Sequence, residues 1–383
     1  MPTPPASRPL VGRLKRVLSR SRHQPRRCFV ARHLVGEREM ALIVISSEQF
    51  AQHMTPPGHP ECSERAEAMD MVANGWRRRG GEVVAPRLAT REQVTRVHDA
   101  DYVQRIAETT GSAVALDADT YTSPDTYEVA LLAAGAAVDA VERVMSGVHQ
   151  RALALVRPPG HHAEPHRAMG FCFFNNVAIG AAHARTLGAR RVAIVDYDVH
   201  HGNGTQDMFV RDASVLYVST HQYPYYPGTG AVEEVGDLRG AGFTVNLPLE
   251  VGSVDEDYRV VFAEVILPVL RQFEPDLLLL SAGFDAHERD PLGGMRLTTR
   301  AFAAMTGDLV LVAEECCDGR LVVVTEGGYD LHAFRECLHE VTTVLAGDLI
   351  GEEAWPTATA VAPRRGQAAV RGAKAALAPY WRF

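Results

Sequence analysis

Residues 192–205 read Val192-Ala-Ile-Val-Asp-Tyr-Asp-Val-His-His-Gly-Asn-Gly-Thr205. Val192, Ile194 and Val195 make a short run rich in β-branched residues, which predicts a buried strand. Asp196, Asp198, His200 and His201 follow at once. Two carboxylates and two imidazoles so close together cannot be buried without partners, because each isolated charge is costly to desolvate. In an extended stretch, residues two apart share a side. Asp196, Asp198 and His200 therefore face one pocket, and Tyr197 and Val199 face away. A mixed carboxylate and imidazole set suits a divalent metal, commonly zinc. A strand end that caps a following helix needs one carboxylate, not four titratable groups. Gly202 and Gly204 let the backbone turn tightly behind the set.

The same pattern, an apolar run followed by polar or glycine-rich residues, recurs on either side. Ala152–Val156 leads to Arg157-Pro-Pro-Gly-His-His162, and Val215–Val218 to Ser219-Thr-His-Gln222. Leu277–Leu280 leads to Ser281-Ala-Gly-Phe-Asp-Ala-His287, and Leu321–Val324 to Thr325-Glu-Gly-Gly-Tyr329. Ala41–Ser46 reads as a first strand, and helical patterns lie over 91–108, 176–187 and 255–272. Ser123-Pro-Asp125 opens a further long helix with Ser123 as its predicted N-cap. Alternating strands and helices predict an α/β fold, a single domain of three layers with a parallel sheet between helices. In such sheets ligands bind beyond the carboxyl ends of the strands. Five polar motifs then meet at one edge of one sheet.

Asp285 follows the most apolar of these runs, so its carboxylate is expected at the same edge as Asp198 and His200. Two carboxylates and one imidazole leave an open coordination position, as a catalytic zinc needs. Alone, Asp285 reads equally well as a turn or helix cap. His161 and His162 beside a metal suit proton transfer, because histidine titrates near neutral pH. By themselves they read as one core and one surface histidine. Tyr329, after two glycines, is placed to lay a phenol over a bound substrate. His59, in a Pro- and Gly-rich loop, reads as a loop or rim residue.

The chain has 383 residues, a net charge of −8 and 46% hydrophobic residues, ordinary for a globular protein with a sizeable core. The acidic balance argues against nucleic acid as a partner. No apolar run approaches membrane-spanning length. The cysteines, at 28, 62, 172, 316, 317 and 337, include no Cys-x-x-Cys pair. They are expected as reduced thiols of a cytoplasmic protein. Residues 1–39 hold ten Lys or Arg against Glu37 and Glu39 and lack the apolar core of a secretory signal. They read as a disordered basic extension. An organelle transit peptide, or sequence upstream of a start at Met40, stays open. Residues 40–383 form the expected catalytic domain.

Six motifs occur in a fixed order: Arg157-Pro-Pro-Gly-His-His-Ala163, Gly170-Phe-Cys-Phe-Phe-Asn-Asn176, Asp196 to Thr205, Tyr226-Pro-Gly-Thr-Gly230, Ser281 to His287 and Glu326-Gly-Gly-Tyr329. From about Ala41 to the Leu377-Ala-Pro-Tyr-Trp-Arg382 tail, the chain resembles the histone deacetylase superfamily. It is most similar to the class II-like bacterial branch, a family that also holds acetylpolyamine amidohydrolases and acetoin-utilisation deacetylases. The resemblance implies an arginase–deacetylase fold and a zinc-dependent amidohydrolase. It implies Asp198, His200 and Asp285 as zinc ligands and His161 and His162 as the catalytic pair. Asp196 is the implied partner of His161, and Asn203 that of His162. An aspartate raises the pKa of a histidine and a neutral asparagine does not. His161 is therefore expected protonated, and His162 neutral and free to take a proton. Tyr329 is expected to stabilise the oxyanion with the metal.

The resemblance also implies Phe171 and Tyr226 as walls of a narrow acyl-lysine tunnel, with Gly170 near their base and Gly327 among the substrate contacts. Leu292 falls at a rim position where an acidic residue would favour a polyamine, and so points to acyl-lysine. A monovalent cation, K+ or Na+, is implied at Asp196, Ser219 and Thr220 with the backbones of Asp198 and His200. A second is implied on the backbones of Phe209, Asp212, Val215 and Phe243. The expected partner is an acetylated lysine peptide or protein, or a small acetylated amine. Two competing readings are a binuclear manganese hydrolase of arginase type and a non-catalytic binding module. The first needs more bridging aspartates, yet position 287 is histidine. The oligomeric state is left open.

Overall fold

Short runs of Val, Ile, Leu and Ala pair side by side as eight parallel strands in a single sheet. This computed structural model describes residues 42–348, 355 and 362–383. The basic stretch 1–39 lies outside the described residues.

In chain order the elements are β1 (Leu42–Ile45), α1 (Glu64–Arg78), β2 (Glu82–Val84), α2 (Arg91–Val94), α3 (Ala100–Ala107), α4 (Thr126–Met145) and β3 (Arg151–Ala154). Next come α5 (Asn176–Thr186), β4 (Val192–Asp196), α6 (Asn203–Phe209), β5 (Val215–Gln222) and β6 (Thr244–Leu249). The chain closes with α7 (Asp255–Val261), α8 (Leu267–Phe273), β7 (Leu277–Ala282), α9 (Thr299–Cys317), β8 (Leu321–Thr325), α10 (Leu331–Leu345) and α11 (Arg364–Leu377).

The strand order is β2-β1-β3-β8-β7-β4-β5-β6. Helix α10 packs on α1 and α9, while α4 packs on α5, so helices cover the sheet on both faces. Strands β3, β4, β7 and β8 are buried along their whole length. This is why Ala152–Ala154, Val192–Val195, Leu277–Leu280 and Leu321–Val324 read as apolar runs and not as alternating ones, with Arg151 opening β3 and Asp196 closing β4. The five strands that precede the five polar motifs are neighbours in the order β3-β8-β7-β4-β5. All of them are parallel, so all five motifs emerge at one edge. A smaller apolar cluster, with Tyr102, Ile106, Phe173 and Phe174, supports the loop that follows His161 and His162.

Several local expectations change. The two edge strands carry little signal: β2 has three residues and is partly exposed, and β6 contains Pro248, which an edge strand tolerates. Ser219 to Gln222 lie inside β5 and not beyond it. The helical pattern over 91–108 breaks into α2 and α3, because His98 turns inward to the Glu164 carbonyl and the Asn175 amide. Ser123 does not cap α4; its hydroxyl accepts the Met54 amide at 3.0 Å, and the helix starts at Thr126. The helix over 255–273 is continuous through a π turn at Phe262–Ile266, just ahead of Pro268, whose nitrogen has no hydrogen to give. No helix among the described residues is long and apolar enough to cross a membrane.

Candidate metal centre and active site

Register sets the centre. Strands β4 and β7 are neighbours, with Asp196 opposite Ser281. Asp198 therefore lies two residues past the end of β4, and Asp285 three past the end of β7. The donor atoms of Asp198, His200 and Asp285 all lie within 4.8 Å of one another, and all three residues are buried. His200 Nδ1 is 3.1 Å from Asp198 Oδ1 and 3.0 Å from Asp285 Oδ2. The second oxygen of each carboxylate is held by backbone: Asp198 Oδ2 accepts the Gly327 amide at 2.9 Å, and Asp285 Oδ1 that of Val199 at 2.8 Å.

The carboxylates approach so closely because glycine stands behind them. A Cβ at Gly327 would lie 2.4 Å from Asp285 Oδ2 and 2.6 Å from Asp198 Oδ2. Gly327, expected among the substrate contacts, thus sits against the carboxylates.

These donors fit a divalent cation. A ring nitrogen with at most one proton faces two buried carboxylates, and that proton cannot serve both fully. Burial and the Asp198 charge push Asp285 up to about 7. For Asp198 burial acts the same way, but His161 and His200 outweigh it and hold that carboxyl well below its usual range. One ion shared by the three donors relieves both the desolvation and the repulsion.

The two adjacent histidines have different partners. His161 Nδ1 lies 3.1 Å from Asp196 Oδ2, which also accepts the Tyr217 hydroxyl at 3.0 Å. Burial opposes charge on His161, but the carboxylates of Asp198 and Asp196 outweigh it and raise the ring to about 10. With a cation on Asp198, the Asp196 carboxylate remains as the ring's own partner. His162 Nδ1 lies 2.8 Å from Asn203 Oδ1. Asn203 Nδ2 donates to Glu164 Oε1 at 2.9 Å, so its oxygen is the atom facing the histidine. His162 must then carry its hydrogen on Nδ1 and keep a lone pair on Nε2. Burial, then His161 and His200, hold its pKa well below the usual value.

Tyr329 stands on the loop after β8. Its ring meets Phe171 edge-on at 5.7 Å, and the Arg65 guanidinium lies 5.2 Å from its centre. Burial and the Asp285 carboxylate push its phenol well above the usual value, so it stays a hydrogen-bond donor. Tyr226 meets His162 edge-on at 5.1 Å, and Tyr225 stacks on His200 at 5.6 Å. Gly170 lies against His162, where a Cβ would come within 2.4 Å of the ring. His59 packs edge-on to Phe171 at 4.7 Å, a rim position. Leu292 accepts the Tyr225 hydroxyl at its carbonyl, 3.0 Å away. Asp196 and Ser219 are paired across β4 and β5, and the Thr220 hydroxyl reaches the Asp196 carbonyl at 3.5 Å.

Several supporting groups were not singled out by sequence. Glu326 is fully buried beneath the histidine pair; it accepts the amides of Gly160 and His161 at 2.6 and 3.1 Å and the Ser281 hydroxyl at 3.0 Å. Arg65 donates to the carbonyls of Glu326 and Gly328 and so fixes the loop carrying Tyr329. Glu61, fully buried, pairs with both Arg65 and Arg157. In sequence Glu61 and Arg65 are single charges in a loop and at a helix start, with no local signal of burial; Glu326 stands in a quoted motif just past a strand, but nothing local names the donors it accepts.

A family model described as "Histone deacetylase domain" matches residues 59–345. A probable deacetylase of Archaeoglobus fulgidus is 42% identical over 291 residues, 75% of this chain and 81% of that protein. The human polyamine deacetylase HDAC10 is 41% identical over 348 residues, 84% of this chain and 50% of that protein. The crystal structure of the HDA15 HD domain superposes with a TM-score of 0.82 at 34% identity, covering 90% of this chain and 96% of that one. With these matches and the five motifs gathered at one sheet edge, the chain belongs to the histone deacetylase family and is an amide-bond hydrolase acting on acylated amines.

Proposed function

We propose that the protein is a zinc-dependent deacetylase whose catalytic domain runs from about residue 40 to 383, with Asp198, His200 and Asp285 as the ligands of one ion. The observation that carries this reading is the unequal histidine pair beside the three donors: one ring paired with a carboxylate, the other with an amide oxygen. Zinc suits two carboxylates and one imidazole with a position left open. Held there, it supplies a Lewis acid for the amide carbonyl and acidifies water.

The chain's own groups do the rest. His162, with its free Nε2, takes a proton from the attacking water and delivers it to the departing amine nitrogen. His161, kept cationic by Asp196, adds positive charge where the oxyanion forms. The Tyr329 hydroxyl donates to that oxyanion. Water and the amide become a carboxylate and a protonated amine: the C–N bond breaks, the water oxygen stays on the acyl carbon, and both water protons end on the amine nitrogen. A monovalent cation, K+ or Na+, fits beside Asp196, Ser219 and Thr220.

Phe171 and Tyr226, each packed against a catalytic group, favour a thin aliphatic chain between them. The apolar Leu292 at the rim favours acyl-lysine. A small cationic amine is the second reading, supported by the acidic loop of Asp117 and Asp119 beside the Phe171 wall: the Asp119 carbonyl lies 2.9 Å from His59 Nε2, and Thr120 Oγ1 accepts the Phe171 amide at 3.1 Å. The five described cysteines are free thiols, which supports a reducing compartment such as the cytoplasm.

Turnover of acetyl-lysine peptides and of acetylpolyamines, each with and without a chelator, tests the reading. Expected are chelator-sensitive release of acetate, preference for the peptide, and about one zinc per chain. Full activity after metal is stripped would sink it.

A further inference from the structure

No helix or strand spans the stretch between β5 and β6 that carries Tyr225 and Tyr226, apart from a short turn at Leu238–Gly240. Its position is set by side chains behind it. Thr229 Oγ1 lies 2.7 Å from His201 Nδ1, and His201 Nε2 lies 3.0 Å from Gln206 Oε1. An amide oxygen only accepts, so His201 carries its hydrogen on Nε2 and the Thr229 hydroxyl donates to Nδ1. Gln206 in turn donates to Glu234 Oε2 at 2.6 Å, and Glu234 accepts the amides of Gly230 and Ala231 at 3.1 Å. The Gly230 carbonyl is held by His221 Nε2 at 2.8 Å. Gly230 has φ +89°, and a Cβ there would lie 2.4 Å from His221 and 2.7 Å from His201. The turn is thus tied to α6 and to β5 by two fully buried histidines, although Thr229 itself is exposed.

His201 directly follows His200. One backbone segment presents one imidazole to the metal donors and the next to the substrate-wall loop. We propose that His201 and Thr229 form a latch that fixes the Tyr226 wall, and that this pair sets affinity for the acylated chain without touching the reacting atoms. They are positioning residues. The inference rests on the reading of Tyr226 as a tunnel wall.

The test compares Thr229→Val, which keeps the shape and loses the donor, with Thr229→Ser, which keeps the donor. Both substitutions are made at an exposed position in the full chain. Losing one such hydrogen bond is expected to raise KM for an acetyl-lysine peptide about three- to tenfold, with kcat within about twofold. Amide hydrogen exchange over 223–231 is expected to quicken by a similar factor in Thr229→Val. Thr229→Ser is expected to restore both values. Wild-type KM in Thr229→Val overturns the proposal, whatever the exchange shows, and so does a Thr229→Ser variant that behaves like Thr229→Val. A wild-type protein that turns over no acylated amine refutes the functional reading instead, and the exchange contrast then still decides whether the latch exists.

Discussion

Asp290 Oδ2 accepts the backbone amide of Tyr329 at 2.6 Å, while its Oδ1 accepts that of Leu292 at 2.9 Å. One largely buried carboxylate therefore holds both the loop of the proposed oxyanion donor and the rim of the tunnel. Asp290→Asn sets an NH2 group against one of these backbone N–H donors. A small misplacement of Tyr329 is expected to lower kcat on the order of 10–10². Tyr329→Phe, which deletes the donor itself, is expected to cost on the order of 10²–10³ with metal content unchanged. The two effects should not add, since both act on one hydroxyl. Steady-state kinetics of the single and double variants decide this; a fully additive double variant would place Asp290 outside the catalytic arrangement.

The contrast between Asn203 and Asp196 predicts a pH effect. A carboxylate at position 203 favours the protonated form of His162, which then cannot accept a proton. Asn203→Asp is expected to move the acidic limb of kcat/KM upward by about 1–3 pH units. Activity at neutral pH falls and part of it returns at higher pH. Superimposable pH profiles for variant and wild type would remove His162 as the base.

Glu61 is a stability residue. Burial raises its pKa, but Arg157 foremost, then His53 and Arg65, bring the carboxyl well below its usual range. Arg157 Nε lies 2.6 Å from Glu61 Oε1, and both side chains are fully buried. Glu61→Gln leaves two guanidinium groups without a counter-charge and is expected to cost about 3–5 kcal/mol. Urea unfolding measures it, and a loss below about 1 kcal/mol would contradict the buried-charge argument.

His98 links stability to pH. Its Nδ1 donates to the Glu164 carbonyl at 3.0 Å, and its Nε2 accepts the Asn175 amide at 2.9 Å. Burial lowers its pKa to about 4. Between that value and the ordinary 6.5, the unfolded chain binds a proton that the folded one refuses. Stability is therefore fully present above the upper value and falls as pH drops towards the lower one. The loss is about 1.4 kcal/mol per pH unit, near 3 kcal/mol in all. Unfolding of wild type and His98→Gln across this window should differ in slope by about one proton. Parallel curves would disprove it.

The sequence by itself determined the parallel sheet, because strands buried on both faces are written as apolar runs, and Ala152–Ala154 in β3, Val192–Val195 in β4, Leu277–Leu280 in β7 and Leu321–Val324 in β8 are such runs. It determined Asp198 and His200 as a pair, because alternation along an extended chain is a local rule. It also marked Asp285, His161, His162 and Tyr329 through their place just beyond strand ends. The tertiary structure alone decided what surrounds them. Glu61, Glu326 and Asp290 each work by accepting donors from segments distant in the chain, and nothing local distinguishes such a carboxylate from a solvated one. The tautomer of His162 depends on Glu164 turning Asn203, and the split of the helix over 91–108 depends on His98 finding its partners across a loop. Register and side-chain alternation are written in the chain; the burial of a charge depends on what folds over it.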